Sequence, residues 1–267
     1  MYRDTKIERF DLHPDLAKPS NIQEDFDVID GFKDVLKPYI YTDIPIRHVP
    51  AISIETAFQE RLQMLMSAAL LRSLMLKEGL VKALNDSNLP AYYGALKSFF
   101  EVPALLGYVA ELIAENEDYY KIIELMKPLT LGSGKAGSLR IGNVDAIKIG
   151  KMFEALDRVY KKMSVGAGED KEEIKKRENI FHALYGDVCN YGHINWNAHL
   201  SVGLQLDGVW RAHKEIDEYK RQLYAFYMPG FTLGIAGIKM MCSFISRNPK
   251  VSNFSRMNSP KYFQDWI

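Results

Sequence analysis

A long run from Ser53 to Leu84 contains no proline and repeats apolar side chains at helical spacing, through Phe58, Leu62, Leu65, Ala69, Leu70, Leu76, Leu80 and Leu84. Such a rod can hide its apolar face only against other helices, because an isolated helix draws little stability from propensity alone. Ser53 is placed to cap it, with Thr56 as a second candidate. Its polar positions include Glu55, Glu60, Arg61, Arg72, Lys77 and Glu78, and Asn85 to Asn88 closes it.

The segments on either side keep the same period. Ile22 to Leu36 predicts a short helix with Phe26, Val28, Ile29, Phe32 and Leu36 as its apolar residues. Pro90 suits the first turn of a second long helix, Ala91 to Ala114. Pro103 lies inside that helix, where a kink is expected near Phe99 to Glu101. Glu117 to Lys127 reads as a shorter helix ended by Pro128, and Asp145 to Met163 as an amphipathic one. Val165-Gly-Ala-Gly168 breaks the chain, and Glu169 and Asp170 then open a helix running to Tyr191-Gly192, with acids at its positive end. Glu215 to Ser246 returns to helix, with a kink expected at Pro229. Between these two, Ser201 to Arg211 alternates apolar and polar residues around an Asp207-Gly208 turn signal, which predicts a hairpin. The fold class is therefore all-α, a helical bundle of about five to seven helices with a minor β-hairpin near 201–211. Residues 1–50, punctuated by five prolines, form an N-terminal arm with one short helix; 51–246 form the bundle, and 247–267 a C-terminal tail.

Composition excludes several classes. Thirty-four basic residues balance thirty-four acidic ones, so net charge points to no nucleic-acid or membrane partner by itself. Two cysteines, Cys189 and Cys242, make no disulfide framework, and a reducing, cytoplasmic compartment is the simpler reading. Phe226 to Ile245 is apolar apart from Lys239, but its central lysine and its glycines read as a buried bundle helix, so no membrane partner is expected. Leu131-Gly-Ser-Gly-Lys-Ala-Gly-Ser138 lacks the order of a phosphate loop and reads as a connector.

Chemistry gathers in Arg177 to His199, which holds three of the six histidines and one of the cysteines. At about 100° per residue, His182, Tyr185, Cys189 and His193 fall on one stripe if the helix continues through them. Arg177 lies off that stripe. On the second long helix, Glu101 sits among Phe99, Phe100, Val102 and Leu105 and must either face solvent or find a partner. Cys189-x3-His193 is a helical ligand spacing, but no second paired motif accompanies it, so neither a metal nor a cofactor is assigned. A structural reading stands beside the functional one: Tyr185 and His193 donating to buried partners such as Glu101 and holding the helices in register.

Arg177-x4-His182 resembles the Arg-x4-6-His pattern of HEPN-type helical domains. Glu178 follows the arginine where that family usually carries a small polar residue. The resemblance implies metal-independent RNA cleavage of a defence or toxin type. A histidine would act as general acid or base, an arginine would steady the phosphate, and a homodimer would build a composite site. RNA is the partner implied. Residues 178–210 contain no Lys or Arg, so basic contacts to a strand would come from elsewhere, such as Arg61, Arg72 or Lys148 to Arg177. A wider stretch, Ser53 to Asn197, resembles a group of uncharacterised bacterial helical proteins. These carry an Arg-Ser-Leu-Phe-Glu-like segment and a Tyr-x3-Ser-x3-His-Pro-Asn ending. Here Leu96-Lys-Ser-Phe-Phe-Glu101 and Tyr185-x3-Cys189-x3-His193-Ile-Asn195 stand in those places, with Lys97 for the arginine, Cys189 for the serine and Ile194 for the proline. That likeness implies a Glu101–Tyr185–His193 cluster and makes His193, beside His182, a residue to watch.

Overall fold

Two antiparallel helices form the spine, α2 (Ile54–Asn85) and α3 (Leu89–Glu115). The computed structural model describes residues 4–9, 22–41, 43–45, 47, 49–131, 146–192, 203–206, 208–212 and 217–251. Among them are eight α-helices: α1 (Ile22–Leu36), α2, α3, α4 (Tyr119–Leu131), α5 (Ile149–Gly166), α6 (Lys171–Lys176), α7 (Ile180–Gly192) and α8 (Asp217–Ser246). Strands β1 (Gly203–Leu206) and β2 (Val209–Ala212) pair antiparallel, Gly203 opposite Ala212 and Leu206 opposite Val209. Gly208 turns between them at φ +77°, a left-handed conformation that a side chain resists. The chain is thus an all-α bundle with one small hairpin, as its sequence pattern predicts.

Capping at the spine follows the sequence. Ser53 accepts a hydrogen bond from the Thr56 amide at 3.2 Å, and Asn88 accepts from the Ala91 amide at 3.1 Å, with Pro90 in the first turn of α3. Helix α3 then runs unbroken through Pro103 and touches α2, α4, α5, α7 and α8. Phe99 is its centre of packing, with the Phe32 ring 5.7 Å away on α1 and the Phe231 ring 5.1 Å away on α8, both edge to face.

Glycine decides two close approaches. A Cβ on Gly107 would lie 2.6 Å from the Leu156 Cα, so α3 and α5 cross almost backbone to backbone. On α8, a Cβ at Gly234 would meet the Phe99 ring at 2.9 Å. The apolar stretch 226–245 is therefore a bundle helix. Met228, Phe231, Ile235, Ile238, Cys242 and Ile245 are buried, while Lys239 is exposed. Among the described residues, no helix is long and apolar enough to cross a membrane.

Several expectations need correction. Helix α4 continues through Pro128 to Leu131, because a proline near a helix end deprives one carbonyl of its donor while its fixed φ remains helical. Val28 is exposed rather than in the apolar face of α1. Glu60 and Lys77 are buried despite their places among the polar positions of α2. Glu60 is held by Arg47, and the Lys77 ammonium by Asp4 at 3.3 Å and the Thr5 carbonyl at 3.0 Å. Residues 4–9 form an extended strap across α1 and α2. The Thr5 amide donates to Glu78, the Ile7 amide to Asp30 and the Glu8 amide to Asn85, while Asn85 donates back to the Lys6 carbonyl.

The largest correction concerns the segment after Gly168. The single helix expected from Glu169 to Gly192 is two helices, broken at Arg177 to Asn179. Arg177 is extended there, at ψ 139°. The buried Asp157 on α5 accepts the amides of Phe181 and His182, each at 3.1 Å, and so caps α7 from outside its own sequence. Local residues alone favour continuing the helix; that long-range acceptor favours starting a new one. The connector from 132, the residues His193 to His199 and the tail from 252 lie outside the described residues.

Candidate functional site

Helix α3 is buried on every side but one. Between its ends, the less buried positions Gly94, Lys97, Ser98, Glu101, Leu105 and Tyr108 recur at three- and four-residue spacing and make a strip, with Ala95 beside it. Glu101 sits at the middle of that strip, between α2 and α7. Its Oε1 accepts from the Tyr185 hydroxyl on α7 at 3.4 Å. Its Oε2 lies 3.6 Å from Arg72 Nη2 on α2, an ion pair rather than a tight hydrogen bond. The Arg72 side chain is 58% exposed and that of Glu101 31% exposed. The cluster therefore opens to solvent at the edge of the bundle instead of being sealed inside it.

Tyr185 is fixed from behind. Its ring stacks on Phe153 of α5, centroids 4.3 Å apart and planes 29° from parallel. Burial pushes the phenol well above its ordinary range, and the negative charge of Glu101 and the neighbouring Cys189 push it further. Tyr185 thus remains a hydroxyl donor throughout the physiological range. The His182 ring lies 6.2 Å from the same Phe153 ring and is exposed. His182 and Tyr185 therefore share one face of α7, as the stripe predicts.

Arg177 takes no part in this edge. It precedes α7, and its guanidinium is paired with Glu169 at 2.5 Å, closing the turn between α5 and α6. The Arg177-x4-His182 spacing consequently spans a helix break instead of one helical face. His193 lies outside the described residues. No group of three or more His, Cys, Asp and Glu side chains among the described residues is arranged to hold a metal ion.

Two residues matter more than their sequence context suggests. Arg72, read only as a possible contact to a strand, is the charge partner of Glu101. Asp157 sets where α7 begins and so where Tyr185 and His182 stand. Its signal in the sequence is a lone carboxylate among Phe153, Leu156 and Tyr160, at the spacing of a buried helix face. Comparison with family models, with curated proteins and with solved structures gave no match.

Proposed function

We propose that this chain is a HEPN-like helical protein of a defence or toxin type that cleaves RNA without a metal, in a reducing, cytoplasmic compartment. The observation that carries the reading is the solvent-open contact of Glu101 with Tyr185 and Arg72 at one edge, with the exposed His182 on the same face of α7. Those four groups can supply the base, the acid and the charge stabilisation of phosphodiester transesterification. A carboxylate takes the proton of the ribose 2′-hydroxyl as that oxygen attacks phosphorus. An imidazolium gives a proton to the departing 5′-oxygen as the P–O5′ bond breaks. A guanidinium and a phenol steady the charge that grows on the non-bridging oxygens. Glu101, His182, Arg72 and Tyr185 fill these roles in that order. The products are a 2′,3′-cyclic phosphate and a 5′-hydroxyl, and no water, metal or oxidant enters the balance. Free Cys189 and Cys242 accord with the compartment.

The test is cleavage of a labelled single-stranded RNA by the purified chain in excess chelator. We expect a cyclic-phosphate product, and a loss of about 10²-fold or more when His182→Ala removes the acid. A wild-type chain that leaves RNA intact, or a His182→Ala chain that cleaves at the wild-type rate, refutes the reading.

A second reading is favoured by the stacking of Tyr185 on Phe153. In it, the Tyr185–Glu101 contact joins α7 to α3 for stability alone. Tyr185→Phe would then lower stability by about 1 kcal/mol and change no activity.

A further inference from the structure

The lysines of the described residues that are at least half-buried nearly all have an answer to their charge. Lys77 meets Asp4 and the Thr5 carbonyl, Lys161 meets Asn179, and Lys250 meets Glu117 and two carbonyls at the end of α3. Lys33 also has a partner. Lys97 is the exception: it is half-buried on the open strip of α3 and has neither an ion pair nor a hydrogen bond among the described residues. Its neighbour one turn on, Glu101, would be the natural counter-charge. Both Glu101 oxygens are instead engaged, one by Tyr185 and one by Arg72. A lysine placed N-terminal to a glutamate at this spacing is also the weaker orientation of the pair. A partly desolvated ammonium without a counter-ion carries a cost that an anionic ligand would remove.

The surroundings give that ligand a path. Tyr185 meets Glu101 and the Tyr191 ring stacks on Tyr93 at 4.7 Å, so α7 runs antiparallel to α3 and brings Cys189 level with Lys97. On the other side, the contact of Arg72 with Glu101 and the antiparallel course of α2 bring the exposed Met75 to the same level. One turn earlier, a Cβ on Gly94 would meet nothing. The strip from Glu101 to Gly94 is thus a track with a cation at each end of its reactive stretch, Arg72 and Lys97.

We infer that Lys97 binds a backbone phosphate of a single-stranded RNA lying along α3, one phosphate removed from the bond held at Glu101. This rests on the RNA reading above and adds to it a second phosphate contact along the strand. Lys97 is a binding residue here and transfers no proton.

The experiment uses the full chain and a 2′-O-methyl RNA oligonucleotide, which lacks the hydroxyl that cleavage needs. Binding is followed by fluorescence anisotropy across a salt series. Lys97→Met keeps an apolar stem and removes the charge. We expect it to weaken binding equally for unrelated sequences and to reduce the log–log salt slope by about 0.7, the contribution of one phosphate on a single strand. Lys97→Arg should restore the slope. An unchanged slope in Lys97→Met overturns the assignment, because the lysine then serves only to cover apolar surface with its stem. A wild-type chain that does not bind the oligonucleotide overturns it as well. The catalytic reading fails separately: binding with the expected slope change, but no cleavage of unmodified RNA, leaves Lys97 in place and removes the chemistry assigned to Glu101 and His182.

Discussion

Removing the carboxylate of Asp157 should cost more than any other single change near the cluster. Its side chain is buried, and it accepts two free amides in the first turn of α7, from Phe181 and His182. Asp157→Ala leaves the buried Phe181 amide without an acceptor and opens a small void beside it. Loss of an N-terminal cap typically costs about 1 kcal/mol, and loss of a hydrogen bond to a charged group about 1.5–3 kcal/mol. Both figures describe the same two contacts, so the expected destabilisation is about 1–3 kcal/mol, read as a shift of the urea midpoint at constant slope. Asp157→Asn keeps one oxygen acceptor and should fall between wild type and alanine. The pH dependence gives a second readout. Burial pushes the Asp157 carboxyl above its ordinary value of 3.8, against the downward pull of the two amides. The folded protein therefore holds that proton more tightly than the unfolded chain does. The stability linked to it is complete below 3.8 and is lost as pH rises through the raised folded value. Asparagine has no such proton, so the gap between wild type and Asp157→Asn should narrow as pH rises above 3.8. A cost below about 1 kcal/mol for alanine would refute the account, since α7 would then begin where it does without Asp157.

Other outcomes follow from the packing. Gly107→Ala drives a methyl into the Leu156 backbone and should destabilise by about 1–3 kcal/mol in urea melts, with α3 and α5 forced apart. Ser87, in the turn between α2 and α3, sits at φ 57°, and Ser87→Gly should raise stability by about 1 kcal/mol by releasing that strain. Lys77→Met should free the strap: hydrogen exchange at Thr5, Ile7 and Glu8 should rise together while exchange in the middle of α3 is unchanged. Burial raises the Asp4 carboxyl, but Lys77 and Lys6 outweigh it and the net shift is downward. The strap contact of Asp4 is therefore stabilising above 3.8 and lost as pH falls below it, and the pH at which the strap loosens should rise in Lys77→Met.

How far the sequence could be read depended on the range of the forces involved. Ser53, Asn88 and Pro90 act on neighbours three residues away or less, so the starts of α2 and α3 were visible. The hairpin was visible for the same reason, through Gly208 and the alternation beside it. Periodicity also identified α8 as a bundle helix, although only the structure shows Phe99 resting on Gly234. The start of α7 was not legible, because its cap comes from Asp157 on another helix. That one contact moved Arg177 out of the helix of His182 and into a pair with Glu169. The burial of Lys77 was equally hidden, since its partners are residues 4 and 5. Within the site, helical phase placed His182 and Tyr185 on one face of α7, whereas the contact of Tyr185 with Glu101 and the role of Arg72 depended on how α7 and α2 lie against α3.

The central claim is that the edge formed by Glu101, Tyr185 and Arg72 acts on a substrate rather than merely joining helices. Glu101→Gln tests it most directly, because an amide can still accept from Tyr185 but is no longer a base. Measured on one preparation, the RNA cleavage rate should fall by about 10²-fold or more while the unfolding free energy changes by less than about 1 kcal/mol. An unchanged rate together with a clear loss of stability would contradict the account and make the cluster a structural joint.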